Sequence, residues 1–211
     1  MNNLATLYHG QGQFPKAELL YRKTLEVNRR VRGEEHPNTL STMNNLAALY
    51  QDQNQFAKAE VLFRDALDTT RKHHTEGSKP VANGVANLGF NLLLQKRSAE
   101  AEPLLRECLA FRSLEEPDAW RTFSTRSQLG GSLLDQKKYA EAEPLLLAGY
   151  EGLKERESKI QAISKVRLTE ALERLVQLYD ATEQKEKAAE WRKKFEARKQ
   201  ADKTAEKPKE K

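Results

Sequence analysis

Apolar and polar positions along this chain fall into paired helical stripes that return at a nearly fixed spacing. Between Met43 and Leu67, the residues Met43, Leu46, Ala47, Leu49 and Tyr50 occupy one face of a first helix. A polar break follows over Gln51–Gln55, and Phe56, Ala59, Leu62, Phe63, Ala66 and Leu67 form a second stripe. The pattern predicts a helical hairpin. A shift of 42 positions back places Asn2-Asn3-Leu4-Ala5, Tyr8, Phe14, Ala17-Glu18, Tyr21 and Leu25 under the same marks. A shift of 42 forward brings Asn87-Leu88-Gly89, Leu92, Ala101-Glu102, Leu105 and Leu109, and a further 41 brings Gln128-Leu129-Gly130, Leu133, Tyr139, Ala142-Glu143 and Leu146. Such a period predicts an all-α solenoid of four to five antiparallel hairpins, wound as a right-handed superhelix, in one elongated domain.

Small residues recur where helix axes must approach closely: Ala47, Gly89 and Gly130 in first helices, and Ala17, Ala59, Ala101 and Ala142 in second helices. Prolines punctuate the starts, at Pro15 in a second helix and at Pro37, Pro80 and Pro117 before first helices. Pro103 and Pro144 fall slightly deeper, where local bending is expected. Gly33 and Gly77 read as helix stops, with Ser78 as a cap. The repeats are placed at about 1–33, 37–76, 80–114, 117–156 and 159–198. The fifth continues the first-helix stripe at Leu172, Leu175, Val176 and Tyr179, but sets Lys185 and Arg192 where earlier copies are apolar, as a capping hairpin should. Residues 199–211 lack apolar periodicity and read as a disordered, Lys-rich tail. Met1 falls at the place of Met43, inside a first helix, so a fragment of a longer chain, or something packed on that end, is expected.

The small/large pattern at Leu46, Ala47, Tyr50, Phe56, Ala59, Phe63 and Ala66 resembles the tetratricopeptide repeat. The 42-residue period, the run Gly33-Glu34-Glu35-His36-Pro37-Asn38 and the Ala-Glu-Pro-Leu of Ala101–Leu104 and Ala142–Leu145 are similar to the kinesin-light-chain-like subclass, which is common in bacterial proteins. The resemblance implies first helices that line a concave groove holding extended peptides.

Composition narrows the function. No apolar run reaches membrane-spanning length and no signal-peptide pattern opens the chain, so a cytoplasmic protein without a membrane partner is expected. One cysteine excludes an internal disulfide. The net charge of +5 lies wholly in residues 191–211, with nine Lys/Arg against four Asp/Glu, which leaves 1–190 neutral. A nucleic-acid partner would need that charge on a folded face, so none is expected.

The candidate binding residues are one carboxamide per repeat at the polar edge of the first helices, Asn3, Asn45, Asn87 and Gln128, at steps of 42, 42 and 41. A carboxamide both donates and accepts, so such a ladder suits a peptide main chain. The alternative is that these groups cap, bridge helices or are simply solvated. Asn44 and Asn83 are neighbouring groove positions, and Phe90 and Leu93 stand where the second repeat has Ala48 and Gln51, which forms either an apolar pocket or a packing contact.

Other motifs read as structural. His73-His74 lack a third ligand at metal spacing, His36 belongs to the turn before Pro37, Cys108 takes a small packing position, and Trp120 and Trp191 are packing anchors. Neither catalytic residues nor a cofactor or metal is expected. The reading is a non-enzymatic interaction scaffold for a protein or peptide, with self-association through the uncapped first helix as a further mode. The alternative is a regulatory or substrate-docking region of a larger enzyme, such as a bacterial serine/threonine kinase.

Overall fold

The computed structural model describes residues 1–161 and 164–206. Ten α-helices and one short 3-10 turn make up the regular structure of these residues. The helices are α1 (Asn2–Gly10), α2 (Phe14–Arg32), α3 (Pro37–Asp52), α4 (Phe56–His73), α5 (Lys79–Leu94), α6 (Ser98–Glu115), α7 (Trp120–Asp135), α8 (Tyr139–Glu155), α9 (Val166–Ala181) and α10 (Lys185–Glu206). They fall into two compact units, Met1–Phe111 and Arg112–Lys211, so the division lies within α6.

In the first unit α1 packs on α2, α2 on α3, α3 on α4 and α4 on α5. Hairpins therefore stack in chain order, as a solenoid requires. Ala5, Ala17, Ala47, Ala59 and Ala101 are all fully buried. A β-carbon on Gly89 would stand 3.2 Å from Leu105, which shows how closely α5 approaches α6. Tyr21, Leu25, Met43, Leu49, Phe63 and Leu67 fill the thin core between the helices.

The second unit contains the hairpins α7–α8 and α9–α10, with α9 also packed on α8 and α7. Here the helices come closer still. A β-carbon on Gly130 would lie 2.7 Å from Leu146, and one on Gly149 would lie 2.7 Å from the backbone nitrogen of Ser127. Trp191 of α10 packs edge-on against Tyr150 of α8, ring centres 5.1 Å apart, and is 7% exposed. Arg192, the charge in the fifth repeat, is exposed and pairs with Asp180 at 2.7 Å.

Each hairpin turns through the same three-residue loop. Its middle residue is left-handed: Gly12 (φ 71°), Asn54 (58°), Lys96 (60°), Lys137 (62°) and Glu183 (56°). The next residue's N–H returns to the carbonyl five residues earlier, from Gln13 to Tyr8, Gln55 to Tyr50, Arg97 to Leu92, Lys138 to Leu133 and Gln184 to Tyr179, at 2.8–2.9 Å. This is a Schellman closure, which satisfies the last carbonyls of the first helix and reverses the chain.

Between hairpins, His36 caps α3 by accepting the Asn38 N–H on Nδ1 at 3.1 Å, with Pro37 in the first turn. Ser78 stands at the corresponding place before α5, but its hydroxyl makes no capping bond. Two boundaries depart from the sequence reading. The fifth hairpin begins at Val166, after a connector containing the turn Glu157–Lys159, rather than at 159. Its second helix continues to Glu206, where a disordered tail from 199 was expected. Local polarity misleads there because Asp202 is tied down by Thr169 of α9 at 2.6 Å and by Arg198 at 3.0 Å. Residues 207–211 of the expected tail lie outside the described residues.

Candidate functional site

The first helices of the first unit present a polar edge built by α1, α3 and α5. In α3 and α5, apolar residues at three- and four-residue spacing hold the other side of the helix in the core and leave the amides at its margin, whereas α1 buries only Ala5. Asn3 is exposed, and Asn44, Asn45 and Asn87 are half-buried. Asn87 Nδ2 donates to Asn44 Oδ1 at 3.4 Å, which joins α5 to α3. Asn83, one turn earlier on α5, is exposed. The side chain of Asn45 makes no hydrogen bond among the described residues, and neither does that of Asn3.

One step along the same edge, His9 Nε2 and Asp52 Oδ2 are 2.7 Å apart and join α1 to α3. Both this pair and the amide pair are separated by 43 residues, one period plus one. Adjacent first helices therefore meet with an offset of a single residue. The ladder residue Asn87 faces Asn44 rather than its strict counterpart Asn45. Thr6, also on α1, shares a hydrogen bond with Tyr21 at 2.9 Å; burial of that phenol raises its pKa and the Thr6 hydroxyl opposes the rise.

Phe90 and Leu93 are 8% and 9% exposed, so nearly all of their surface is taken up by packing. Gln128 lies in the second unit at 7% exposure, on a helix buried over most of its circumference. Arg174 of α9 explains part of this cover. Its stem passes over Gly131, where a β-carbon would be 2.8 Å from Cδ, and its Nη1 donates to Ser127 Oγ at 3.1 Å. Glu170 joins Arg174 at 3.4 Å and Arg167 at 2.7 Å. Burial lowers the Arg174 pKa, and the Glu170 carboxylate works against that.

A second set of contacts gives the repeated Ala-Glu its purpose. In three of the repeats the glutamate of the second helix reaches the end of the next first helix or the loop just after it. Glu18 accepts from Tyr50 at 2.9 Å, Glu60 from Gln95 at 2.8 Å and from Arg97 at 2.6 Å, and Glu143 from Tyr179 at 2.9 Å. Sequence reasoning recognised this glutamate only as a repeat mark. The signal was available in Tyr50 and Tyr179, whose hydroxyls each need a partner once buried.

Cys108 is fully buried, and His73 and His74 are exposed. Among the described residues no group of His, Cys, Asp and Glu is placed to hold a metal ion, and no helix is long and apolar enough to cross a membrane.

The Tetratricopeptide repeat profiles match residues 1–72 and 82–113. No curated protein matches the chain by sequence. Among solved structures, a kinesin-light-chain candidate of Podosopora anserina with nearly identical TPR-like repeats shares 20% identity over 93% of this chain and 92% of that one, with a TM-score of 0.70. BtubC (BKLC) from P. vanneervenii shares 22% identity over 99% of this chain and 81% of its own, with a TM-score of 0.73. Repeat profiles and hairpin geometry identify tetratricopeptide repeats in this chain over residues 1–72 and 82–113, and its fold is shared with solved structures of kinesin-light-chain-like repeats.

Proposed function

We propose that the chain is a non-enzymatic scaffold that holds an extended peptide segment along the polar edge of α1, α3 and α5. Tetratricopeptide repeats support a role in protein–protein interaction. The observation that carries it is the amide of Asn45, half-buried and without a side-chain partner, beside the Asn44–Asn87 pair. A partly desolvated donor and acceptor gains more from a peptide group than a fully solvated one does. Asn3 and Asn83 extend the row, whereas Phe90 and Leu93 contribute mainly through the packing that fixes α5. Gln128 belongs to the other unit and is left out of this site.

Peptides selected from a random library on the purified chain provide the test. Asn45→Ala combined with Asn87→Ala should weaken the selected peptides about tenfold, the loss of one to two hydrogen bonds, with the helical circular-dichroism signal intact. Unchanged affinity would refute the amide row.

A separate observation favours self-association through α1. Leu4 and Leu7 are 45% and 55% exposed, whereas their counterparts Leu46 and Leu49 are 3% and 0% exposed. Sedimentation should show concentration-dependent assembly that Leu4→Glu with Leu7→Glu abolishes. A monomer at all concentrations removes this mode.

A further inference from the structure

The first unit has a second face, independent of the amide edge. Counting 100° per residue around α3, Asn45 stands roughly 100° from Leu46, and Asn44, Ala48 and Gln51 roughly 140–200°. Leu46 and Tyr50 point instead into a cleft of about 1380 Å³ whose walls are α2 and α4. This is larger than the roughly 300–1,000 Å³ of ordinary small-molecule sites, and its trough shape between two helices suits a third helix.

The chemistry of the walls is specific. Leu19 of α2 and Val61 of α4 both line the cleft and are 68% and 59% exposed, so apolar surface stays open to water on both sides. Leu25 and Leu62 continue the apolar lining. The rim is basic: five lysines and arginines line the cleft against two acidic residues, Glu18 and Glu26. Glu18 is already engaged by Tyr50 at 2.9 Å and by Arg22 at 3.5 Å. Lys23 and Arg30 have no acidic partner among the described residues. This local excess is hidden in the neutral total of residues 1–190, because acidic residues elsewhere offset it; four of its five positions lie on α2 and one, Lys58, on α4.

We propose that this cleft docks an acidic amphipathic helix, with leucine-type side chains seated between Leu19 and Val61 and glutamates or aspartates meeting Lys23 and Arg30. Apolar burial supplies the affinity, and the basic rim orients the helix and speeds its encounter. The site does not depend on the amide edge.

The probe is a fluorescein-labelled peptide of about 15 residues, four turns of helix, with leucine at i, i+3, i+4 and i+7 spacing and glutamate elsewhere. Fluorescence anisotropy should show saturable binding that weakens with salt. The same peptide with lysine for glutamate should bind at least tenfold more weakly. Leu19→Glu with Val61→Glu, and separately Lys23→Glu with Arg30→Glu, should each cost at least tenfold. All four positions are exposed, so the fold should persist, and an unchanged thermal midpoint checks this. Asn45→Ala with Asn87→Ala should leave this peptide's affinity unchanged, which separates the cleft from the amide row. Equal binding of the lysine peptide, or indifference to both cleft pairs, overturns the proposal. So does a concentration-dependent dimer that Leu19→Glu with Val61→Glu dissolves, since the occupant is then a second copy.

Discussion

The hydroxyl of Tyr179 on α9 donates to Glu143 Oε1 on α8 at 2.9 Å, and Tyr50 on α3 does the same to Glu18 on α2 at 2.9 Å. One bond thus recurs between a second helix and the first helix that follows it, in both units. Tyr179 is 2% exposed, while the Glu143 side chain that accepts its bond is 34% exposed, so the bond is covered from the tyrosine side. Tyr179→Phe leaves the ring in place and removes a hydrogen bond to a charged group. Urea unfolding should show a loss of about 1–2 kcal/mol.

Burial, and then the Glu143 carboxylate, push the Tyr179 pKa up to about 12. The folded value lies above the unfolded value of 10.0, so the stabilising contribution is complete below pH 10 and is lost as pH rises through the folded value. Titration followed at the tyrosinate absorbance should contain a late step near pH 12 that Tyr179→Phe removes. A wild-type curve complete by pH 11 would contradict the buried geometry.

Glu60 gives the opposite pH dependence. Burial acts to raise its pKa, but hydrogen bonds from Gln95 and Arg64 and the charge of Arg97 outweigh that and hold it below the ordinary 4.5. Its contribution is present above pH 4.5 and fades as pH falls through the folded value. Glu60→Gln should therefore flatten the fall in stability as pH drops below 4.5, and should cost about 1–2 kcal/mol at neutral pH, where Arg97 keeps only Glu100 as a carboxylate partner. Denaturant midpoints across that range decide it.

The stacking of hairpins was legible in the sequence because Leu46, Ala47, Ala59 and Phe63 are set by contacts within and between neighbouring helices, and these repeat with the period. Less of the site was legible. The His9–Asp52 and Asn44–Asn87 pairs depend on a one-residue offset between adjacent helices, which a strict alignment of repeats conceals. Gln128 aligns with Asn45, yet the small residues of α7 let neighbouring helices close over it. The polar break Gln51–Gln55 was visible as a break, but not its left-handed residue, since Asn, Lys and Glu fill that place as well as Gly.

Gly149 offers a test of how closely α7 and α8 approach. A β-carbon there would meet the Ser127 backbone, its nitrogen at 2.7 Å and its Cα at 3.0 Å, so no side-chain rotation can relieve it. Overpacking of this kind costs about 1–3 kcal/mol, against a helix-propensity gain of about 1 kcal/mol for alanine over glycine. Gly149→Ala should therefore destabilise by a net of up to about 2 kcal/mol. Gly10→Ala in α1, with nothing within 4 Å of the added carbon, should be neutral or stabilising. If both variants melt alike, the close approach is wrong.

The hairpin turns carry conformational strain that glycine should release. Lys96, Lys137 and Glu183 hold φ of 60°, 62° and 56°, the region Gly12 occupies at 71°. An L-residue there costs about 1–2 kcal/mol, part of which a glycine replacement gives back through the greater freedom of its unfolded chain. The backbone bonds of the turn are kept, because they depend on neighbouring N–H and C=O groups and not on the side chain. Lys137→Gly and Glu183→Gly should each stabilise by about 0.5–1 kcal/mol, and both side chains are exposed, so no packing is lost. Asn54→Gly should gain less, since asparagine already tolerates this conformation. Lys137→Ala is the control: it deletes the same side chain but keeps the β-carbon, so it should show no gain. Thermal midpoints that rise for glycine and stay flat for alanine locate the cost in φ. Equal midpoints for the two would place it elsewhere.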